Sequence, residues 1–327
     1  MTSGLIFVTG ATGFIGIATA LEALKAGYRL RVAIRQESQI QKVKKVLSEY
    51  ADKLEFAIVP DITDDKAYTG KLDGVDYVLH IASPLARTLD KKDYFEPAPK
   101  GTVNILKEAT KVSSVKKVVI TSSIVAFIPL SGVPEGGVVT EEPTWDLTVD
   151  VDGDFTGPHP KATAFKLYHA SKILANDATW EFKKRNDPNF SLVTIHPTFV
   201  YGHDLFQTTP DEIGGTNSIL WNAFVSGEAQ IWSSYVNVRD VAKAHIKALD
   251  STIPDGSKYL VAGKDTTWKE VAQLLKKNYP SNELFKLSEA TTGIPLPANT
   301  SKAEKELGID WISLEDTIKE VVEQNSK

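Results

Sequence analysis

A stretch of twelve residues near the start of the chain decides the fold: Leu5-Ile6-Phe7-Val8-Thr9-Gly10-Ala11-Thr12-Gly13-Phe14-Ile15-Gly16. It begins with a short apolar run typical of a buried strand, and helical spacing of apolar residues starts directly after it, at Ile17. The glycines at 10, 13 and 16 allow a tight turn, close approach of a pyrophosphate, and close packing of a helix whose N-terminus faces that anion. The stretch therefore predicts a strand, a dinucleotide-binding turn and a helix rather than a loop without a ligand. We expect cofactor contacts from Gly10, Thr12, Gly13, Phe14, Ile15 and Gly16.

The alternation of strands and helices continues along the chain. Further strands are predicted at 28–34, 54–59, 118–120 and 191–195 and within 75–84, and helices at 40–50, 97–111, 239–249, 267–277 and 313–324. This order predicts an α/β fold, a Rossmann doubly wound parallel sheet with a smaller, mostly C-terminal substrate-binding lobe. We assign 1–196 to the dinucleotide-binding Rossmann domain, to which 229–252 return, and 197–228 and 253–327 to the lobe.

The residue after the second predicted strand indicates which nicotinamide cofactor binds. An acidic residue there holds the ribose hydroxyls of NAD, whereas a cation accommodates the 2′-phosphate of NADP. Here Arg35 is followed by neutral Gln36, so the sequence favours NADPH, and a surface arginine beside Glu37 is the alternative. After the third strand, Asp61 and Ile62 are expected near the adenine, where doubly wound sheets bind ligands. A turn-capping aspartate is the alternative for Asp61.

A second stretch, Phe165 to Asn176, sets a phenol and an ammonium four residues apart. Residues so spaced share one face of a helix, so Lys172 is expected to lower the pKa of Tyr168 and prepare it to pass a proton. A half-buried tyrosine and a solvated lysine on an ordinary amphipathic helix are the alternative.

Composition excludes several classes of function. The 327-residue chain has a formal charge of −5 and no dense run of cations, which argues against nucleic-acid binding. It has no cysteine, and its six histidines lack ligand spacing, so neither disulfides nor a metal site are expected. The sequence offers no signal peptide or membrane span, so a cytoplasmic protein without membrane contact is expected, as a monomer or homodimer.

Four motifs in chain order resemble those of the extended short-chain dehydrogenase/reductases. They are the glycine turn, the strand-end Ser122-Ser123, Tyr168-x-x-x-Lys172 and Pro197-x-x-Val200-x-Gly202, and the resemblance covers nearly the whole chain. The stretches 81–84, 118–123 and 238–245 are most similar to the branch of dihydroflavonol reductases, cinnamoyl-CoA reductases, and yeast and fungal NADPH-dependent carbonyl and methylglyoxal reductases. The resemblance implies NADPH-dependent reduction of a small-molecule ketone or aldehyde, with the fungal carbonyl reductases as the nearest group.

The resemblance also implies a role for each matched residue. Ser123 would hold the substrate carbonyl oxygen, Tyr168 would protonate it, and Lys172 would hold the nicotinamide ribose while lowering the pKa of Tyr168. Further cofactor contacts are implied for Ala82, Ser83, Pro197, Thr198, Val200 and Ser218. Substrate contacts are implied for Leu85, Ile124, Ile128, Phe165 and Phe199. These five are apolar, which indicates an aryl or alkyl ketone rather than a sugar nucleotide.

Two positions depart from the pattern or leave its role open. Fungal reductases often place a lysine four residues beyond the arginine, and this chain has Gln39 there, so the 2′-phosphate would depend on Arg35 alone. Asn104 is a candidate proton relay, with a polar helix residue facing solvent as the alternative. For the whole protein, an epimerase or dehydratase that retains NAD and a non-catalytic nucleotide sensor remain as alternative functions.

Overall fold

The computed structural model describes residues 4–83, 88–229 and 232–326, and a seven-stranded sheet forms its centre. The strands are β1 (Leu5–Thr9), β2 (Arg29–Ile34), β3 (Leu54–Ile58), β4 (Tyr77–His80), β5 (Lys117–Thr121), β6 (Ser191–Pro197), β7 (Val200–Tyr201), β8 (Trp232–Ser233), β9 (Val236–Asn237), β10 (Lys258–Val261) and β11 (Ile294–Pro295). The sheet has the order β10-β6-β5-β4-β1-β2-β3, and every neighbouring pair in it is parallel. The predicted doubly wound parallel sheet is confirmed.

Helices cover both faces of this sheet. They are α1 (Phe14–Lys25), α2 (Gln39–Val46), α3 (Lys92–Phe95), α4 (Pro97–Ala109), α5 (Pro160–Asn186), α6 (Gly215–Ser226), α7 (Val238–Lys247), α8 (Trp268–Asn278), α9 (Ser301–Leu307) and α10 (Leu314–Asn325), with short 3-10 turns at Ser48–Lys53, Ile124–Phe127 and Pro210–Glu212. Helix α1 packs beside α7, and α4 packs beside α5. Along β1, Ile6 and Val8 enter one core cluster while Leu5 and Phe7 enter the other, as the two-residue period of a strand requires.

The lobe has a core of its own, to which α6, α8 and α10 each contribute. Phe224, Leu275 and Val321, one from each helix, are almost fully buried there. Two-stranded pairs connect this region to neighbouring segments, with β7 beside β9 and β8 beside β11. These three helices therefore share a core cluster that is separate from the two clusters containing the strands of the sheet.

One domain boundary predicted from the sequence is wrong. Residues 253–327 were assigned wholly to the lobe, but Lys258–Val261 pair with β6 and complete the sheet. Four residues are too few for their apolar period to distinguish a sheet strand from a buried lobe segment, so no local signal identifies this strand. The predicted helix at 40–50 also differs, because α2 ends at Val46 and a 3-10 turn follows.

The segment between residues 128 and 160 contains no helix and no strand. Its anchor is Trp145, whose indole Nε1 donates a hydrogen bond to the backbone oxygen of Phe127 at 2.6 Å. A single bridge from Val139 to Ala298 ties the segment to the C-terminal part of the chain. The segment leads into α5, which begins after His159, whose ring Nδ1 accepts from the backbone N–H of Ala162.

Candidate active site

A cleft of about 710 Å³ runs along the carboxyl ends of the parallel strands. Doubly wound sheets bind ligands at this edge, because the loops that follow the strands meet there. The residues predicted from the sequence that line it are Gly10, Thr12, Gly13, Phe14, Ile15, Gly16, Arg35, Asp61, Ile62, Ala82, Ser83, Ser123, Tyr168, Lys172, Pro197, Thr198 and Val200. The structure therefore gathers the three proposed catalytic residues and nearly all the proposed cofactor contacts into one cleft.

The glycines of the turn between β1 and α1 differ in what surrounds them. A Cβ on Gly16 would lie 2.0 Å from the backbone oxygen of Gly10, and one on Gly10, whose φ is +79°, would lie 2.7 Å from the backbone nitrogen of Ala82. A Cβ on Gly13 would meet only the Gly10 oxygen, at 3.4 Å. Gly10 and Gly16 are thus needed for packing, whereas Gly13 leaves an open surface beside the first turn of α1. That turn holds no acidic side chain and no side-chain cap, so its backbone N–H groups are available to an anion.

Arg35 lies exposed at the far end of the cleft. Within the described ranges no carboxylate forms an ion pair with it, so its guanidinium is available to a ligand. Gln39 also lines the cleft, and its side-chain Oε1 accepts from the backbone N–H of Arg35 at 2.8 Å and from that of Gln36 at 3.4 Å. A lysine at position 39 has no acceptor and would leave these exposed N–H groups to solvent. The departure from the family pattern therefore stabilises the turn that presents Arg35.

Asp61 lines the cleft and also caps a turn, so the alternative considered for it is present in the structure. One carboxylate oxygen, Oδ1, accepts from the backbone N–H and the hydroxyl of Thr63, each at 2.8 Å. These bonds lower the pKa of Asp61, with smaller contributions from Lys100 and Arg35. The side chain is consequently ionised at neutral pH.

The proposed catalytic side chains meet where the cleft passes β5 and α5. Ser123, Tyr168 and Lys172 all line the cleft. The ammonium of Lys172, almost fully buried, donates to the hydroxyl of Ser83 at 3.1 Å and lies 5.6 Å from the centre of the Tyr168 ring. Helix α5 brings Tyr168 and Lys172 to one face, and the end of β5 brings Ser123 to them.

The pKa shifts of Tyr168 and Lys172 differ from the expectation based on the sequence. Burial raises the pKa of Tyr168, and the hydroxyl of Ser123 lowers it only in part. Burial lowers the pKa of Lys172 to about 8. The expected lowering of the Tyr168 pKa by Lys172 is therefore not found, because both groups leave water together and desolvation outweighs their mutual effect.

The residues predicted to contact the substrate do not gather in the cleft as the cofactor residues do. None of the four that the structure describes lines it. Ile124 and Ile128 are buried in a core cluster with Leu260, so their side chains offer no surface to a substrate, which contradicts that prediction. The sequence could not distinguish a pocket wall from a core, since both require apolar residues. Phe199 stacks on Tyr201 with ring centres 6.3 Å apart.

Phe165 is the substrate candidate that does lie beside the proposed acid. It is 36% exposed, and its ring centre is 6.4 Å from that of Tyr168. Trp232 of β8 packs edge-on against the Phe165 ring with ring centres 5.6 Å apart, and no motif in the sequence indicates this neighbour. Leu85 lies outside the described residues.

Two further predictions are wrong. Ser218 does not line the cleft, because its hydroxyl donates to Gly215 within α6, and the neighbouring Gly215 and Thr216 line the cleft instead. For Asn104 it is the solvent-facing alternative that is wrong, because the residue is 5% exposed and its amide donates to the backbone oxygens of Ile62 and Asp64. These two hydrogen bonds hold the loop that carries Asp61 against α4.

Thr9 also lines the cleft, and none of the sequence expectations included it. Its hydroxyl oxygen accepts from the backbone N–H groups of Ile81 and Ala82, each at 3.1 Å, so its own hydrogen is directed to Nδ1 of His80 at 2.9 Å. These bonds hold the loop after β4 against the glycine turn. The signal lay in the first motif, where a hydroxyl residue ends the strand.

The described ranges contain neither a membrane-spanning helix nor a cluster of metal ligands. No helix there combines the length and the apolar composition that crossing a membrane requires. No three histidine, aspartate or glutamate side chains there come together as metal ligands would.

Comparison with known proteins identifies the family. The sequence profile of the NAD dependent epimerase/dehydratase family matches residues 6–262. The chain belongs to this family. The resemblance to the extended short-chain dehydrogenase/reductases, which the motifs indicated, is confirmed by that match and by the relatives.

Relatives of this epimerase/dehydratase family member include named reductases. Ketoreductase sphI of Aspergillus fumigatus is 46% identical over 99% of this chain and 98% of its own length. Cinnamoyl-CoA reductase CAD2 of Medicago truncatula is 30% identical over 98% of this chain and 94% of its own. The solved structure of Gre2 from Candida albicans in complex with NADPH has a TM-score of 0.85 at 26% identity, over 99% of each chain.

Proposed function

We propose that this protein reduces ketones or aldehydes to alcohols by NADPH-dependent hydride transfer. One observation carries the proposal: Ser123, Tyr168 and Lys172 lie in the same cleft as the glycine turn and an Arg35 without an ion-pair partner among the described residues. Similarity to a ketoreductase and to an NADPH-bound reductase supports it. A dinucleotide bound along this cleft would place its adenosine end at Arg35 and its nicotinamide end beside Tyr168.

The residues present fit NADPH. The open surface at Gly13 and the uncapped first turn of α1 suit a pyrophosphate, because bare N–H groups and the helix dipole favour an anion. Arg35 would hold the 2′-phosphate, and Lys172 would hold the hydroxyls of the nicotinamide ribose. NADPH, when bound, supplies the hydride.

The protein side chains act on the carbonyl oxygen. Ser123 would donate a hydrogen bond to that oxygen and fix its position beside Tyr168. Tyr168 would transfer its hydroxyl proton to the oxygen as the carbon is reduced, which leaves an alcohol and a phenolate that solvent must reprotonate. Because burial raises the pKa of Tyr168, the phenol holds its proton at neutral pH, which is the form that reduction requires.

The test is to replace Tyr168 by phenylalanine, which removes one hydroxyl and keeps the ring. We expect turnover to fall by two or more orders of magnitude, the usual scale for loss of a general acid, with unchanged NADPH affinity. NADPH oxidation should be followed over α-keto esters, aryl ketones, dicarbonyls and dihydroflavonols, and NADPH affinity by quenching of protein fluorescence.

Two results would contradict the proposal. One is near-normal turnover in Tyr168→Phe. The other is wild-type protein that oxidises NADPH with none of these carbonyls but carries tightly bound NAD after purification, as an epimerase or dehydratase would. The cofactor content of denatured protein separates this second case from an inactive preparation.

A further inference from the structure

The residues that follow β5 form a short segment, Ser123–Ile128, whose carbonyls are held by side chains from three different parts of the chain. Ring nitrogen Nδ1 of His196 lies 3.1 Å from the oxygen of Ser123. Trp145 donates to the oxygen of Phe127 at 2.6 Å, and Nε2 of His169 lies 2.7 Å from the oxygen of Ile128. Of these three side chains, only His196 contacts the residue proposed to hold the substrate.

The partners of His196 determine where its hydrogen lies. A carbonyl can only accept, so Nδ1 carries the hydrogen and donates it to Ser123. The other nitrogen, Nε2, therefore accepts from the hydroxyl of Thr194 at 2.8 Å. The ring is fully buried and packs on Phe127 with centres 4.1 Å apart. Burial lowers the pKa of His196 to about 3, so the ring stays neutral with this one tautomer.

The side chain of Ser123 is held only weakly by its neighbours in the chain. Its hydroxyl oxygen accepts from the backbone N–H of Val125 at 3.4 Å, near the limit for a hydrogen bond. The backbone is held better, because the Ser123 oxygen accepts from both Ala126 and His196 and so uses both lone pairs. The direction of the hydroxyl thus depends on a peptide group that His196 fixes.

We propose that His196 is a positioning residue for the reduction, which holds the Ser123 carbonyl and thereby aims the Ser123 hydroxyl at the substrate oxygen. The inference rests on the proposed function. It also explains why a polar ring is buried on β6 directly before Pro197, which lines the cofactor cleft. A histidine that served packing alone would be replaceable by an apolar residue without a specific effect on turnover.

The experiment compares two replacements of His196 with a replacement at the other end of the segment. Asparagine can present an amide N–H where Nδ1 lies, whereas leucine fills similar space without a donor. We expect turnover to fall about tenfold or more in His196→Leu and to stay within about threefold of wild type in His196→Asn, with similar NADPH affinity in both. Trp145→Phe removes the donor to Phe127 and should leave turnover within about threefold.

Each outcome decides the proposal. It is supported if asparagine restores turnover that leucine loses at saturating substrate and NADPH. It is overturned if both replacements lose turnover equally, if neither loses it, or if NADPH affinity falls in parallel with turnover. Equal loss in Trp145→Phe would also overturn it, since any weakening of the segment would then suffice. If the wild type reduces no carbonyl, the proposed function fails and this role falls with it, whereas an active wild type with unaffected variants removes only the role of His196.

Discussion

The two ends of the cleft differ in whether backbone or side-chain atoms form their surface. At the glycine turn the surface is backbone, shaped by residues without side chains, and the nearby cation Arg35 lies in solvent. At α5 the surface is made of side chains, and Lys172 is almost fully buried. Glycine sterics are local and follow from the sequence, whereas burial follows only from the complete fold. This difference explains why spacing predicted the turn correctly but predicted the wrong direction for the pKa of Tyr168.

Gly16→Ala should have the largest effect of the substitutions predicted here, because it disrupts the glycine turn. The added Cβ would lie 2.0 Å from the oxygen of Gly10, so α1 must shift away from the turn. We expect a loss of about 3 kcal/mol in the free energy of unfolding. NADPH affinity should fall by roughly two orders of magnitude because the anion-binding turn is displaced. Urea unfolding and fluorescence titration measure the two effects.

Gly13→Ala is the matched control within the same turn. Its Cβ makes only an ordinary contact at 3.4 Å, so stability should change by less than about 1 kcal/mol while the methyl group obstructs the pyrophosphate. If both variants are equally unstable, or if Gly13→Ala binds NADPH as tightly as the wild type, the distinction between the two glycines is wrong.

At the buried end, Lys172→Met should separate activity from stability. Turnover is expected to fall about 100-fold, because the ammonium is lost from the ribose and from the neighbourhood of Tyr168. The folded protein should nevertheless gain about 2 kcal/mol at pH 7, since an ammonium with a depressed pKa is costly to bury, even after its contacts with Ser83 and Tyr168 are lost.

The gain should depend on pH in a defined direction. The pKa of Lys172 is 10.5 in the unfolded chain and about 8 in the folded one, so between these values the unfolded chain binds more protons. Wild-type stability therefore rises with pH across that window, and the advantage of Lys172→Met shrinks. Urea unfolding of both proteins at pH 7 and pH 9.5 measures this, and a constant difference would mean that burial of the charge is not the cause.

The exposed cation should show the smallest of these effects on turnover but a clear one on cofactor choice. Arg35→Glu removes charge-assisted hydrogen bonds to a 2′-phosphate and adds an acceptor for ribose hydroxyls. We expect the ratio of kcat/KM for NADPH to that for NADH to fall about 10- to 100-fold. Glu37→Gln, an exposed charge change beside the cleft, should leave the ratio unchanged, and an equal change in both variants would assign the effect to overall charge.

Much of the fold could be predicted because its signals are local. The glycine turn, the apolar strands and the helix that carries Tyr168 each have a period or a residue type that permits few alternatives. The strand β10 had too few residues to be recognised, and Ser218 lay one helical turn from the residues that line the cleft. The directions of side chains could not be predicted, since Ile128 and Phe165 are both apolar and only one is exposed.

The site shows the same limit. Residue types and order predicted which side chains meet in the cleft, but the support behind them comes from contacts between distant segments. Thr9 accepts from the backbone N–H groups of Ile81 and Ala82, and His196 holds the carbonyl of Ser123 from the next strand. No sequence motif predicts either contact, because each depends on how the strands and turns are arranged in space.

The position of β10 at the edge of the sheet has a consequence for synthesis of the chain. Lys258 pairs with Thr194, so β6 gains its outer neighbour only after the roughly sixty residues between the two strands have been made. Contacts between such distant residues form slowly, and until then β6 presents a row of unpaired backbone groups. A nascent or truncated chain that ends before residue 258 therefore exposes a strand able to pair with another molecule, and correct folding competes with aggregation at the wall of the active site.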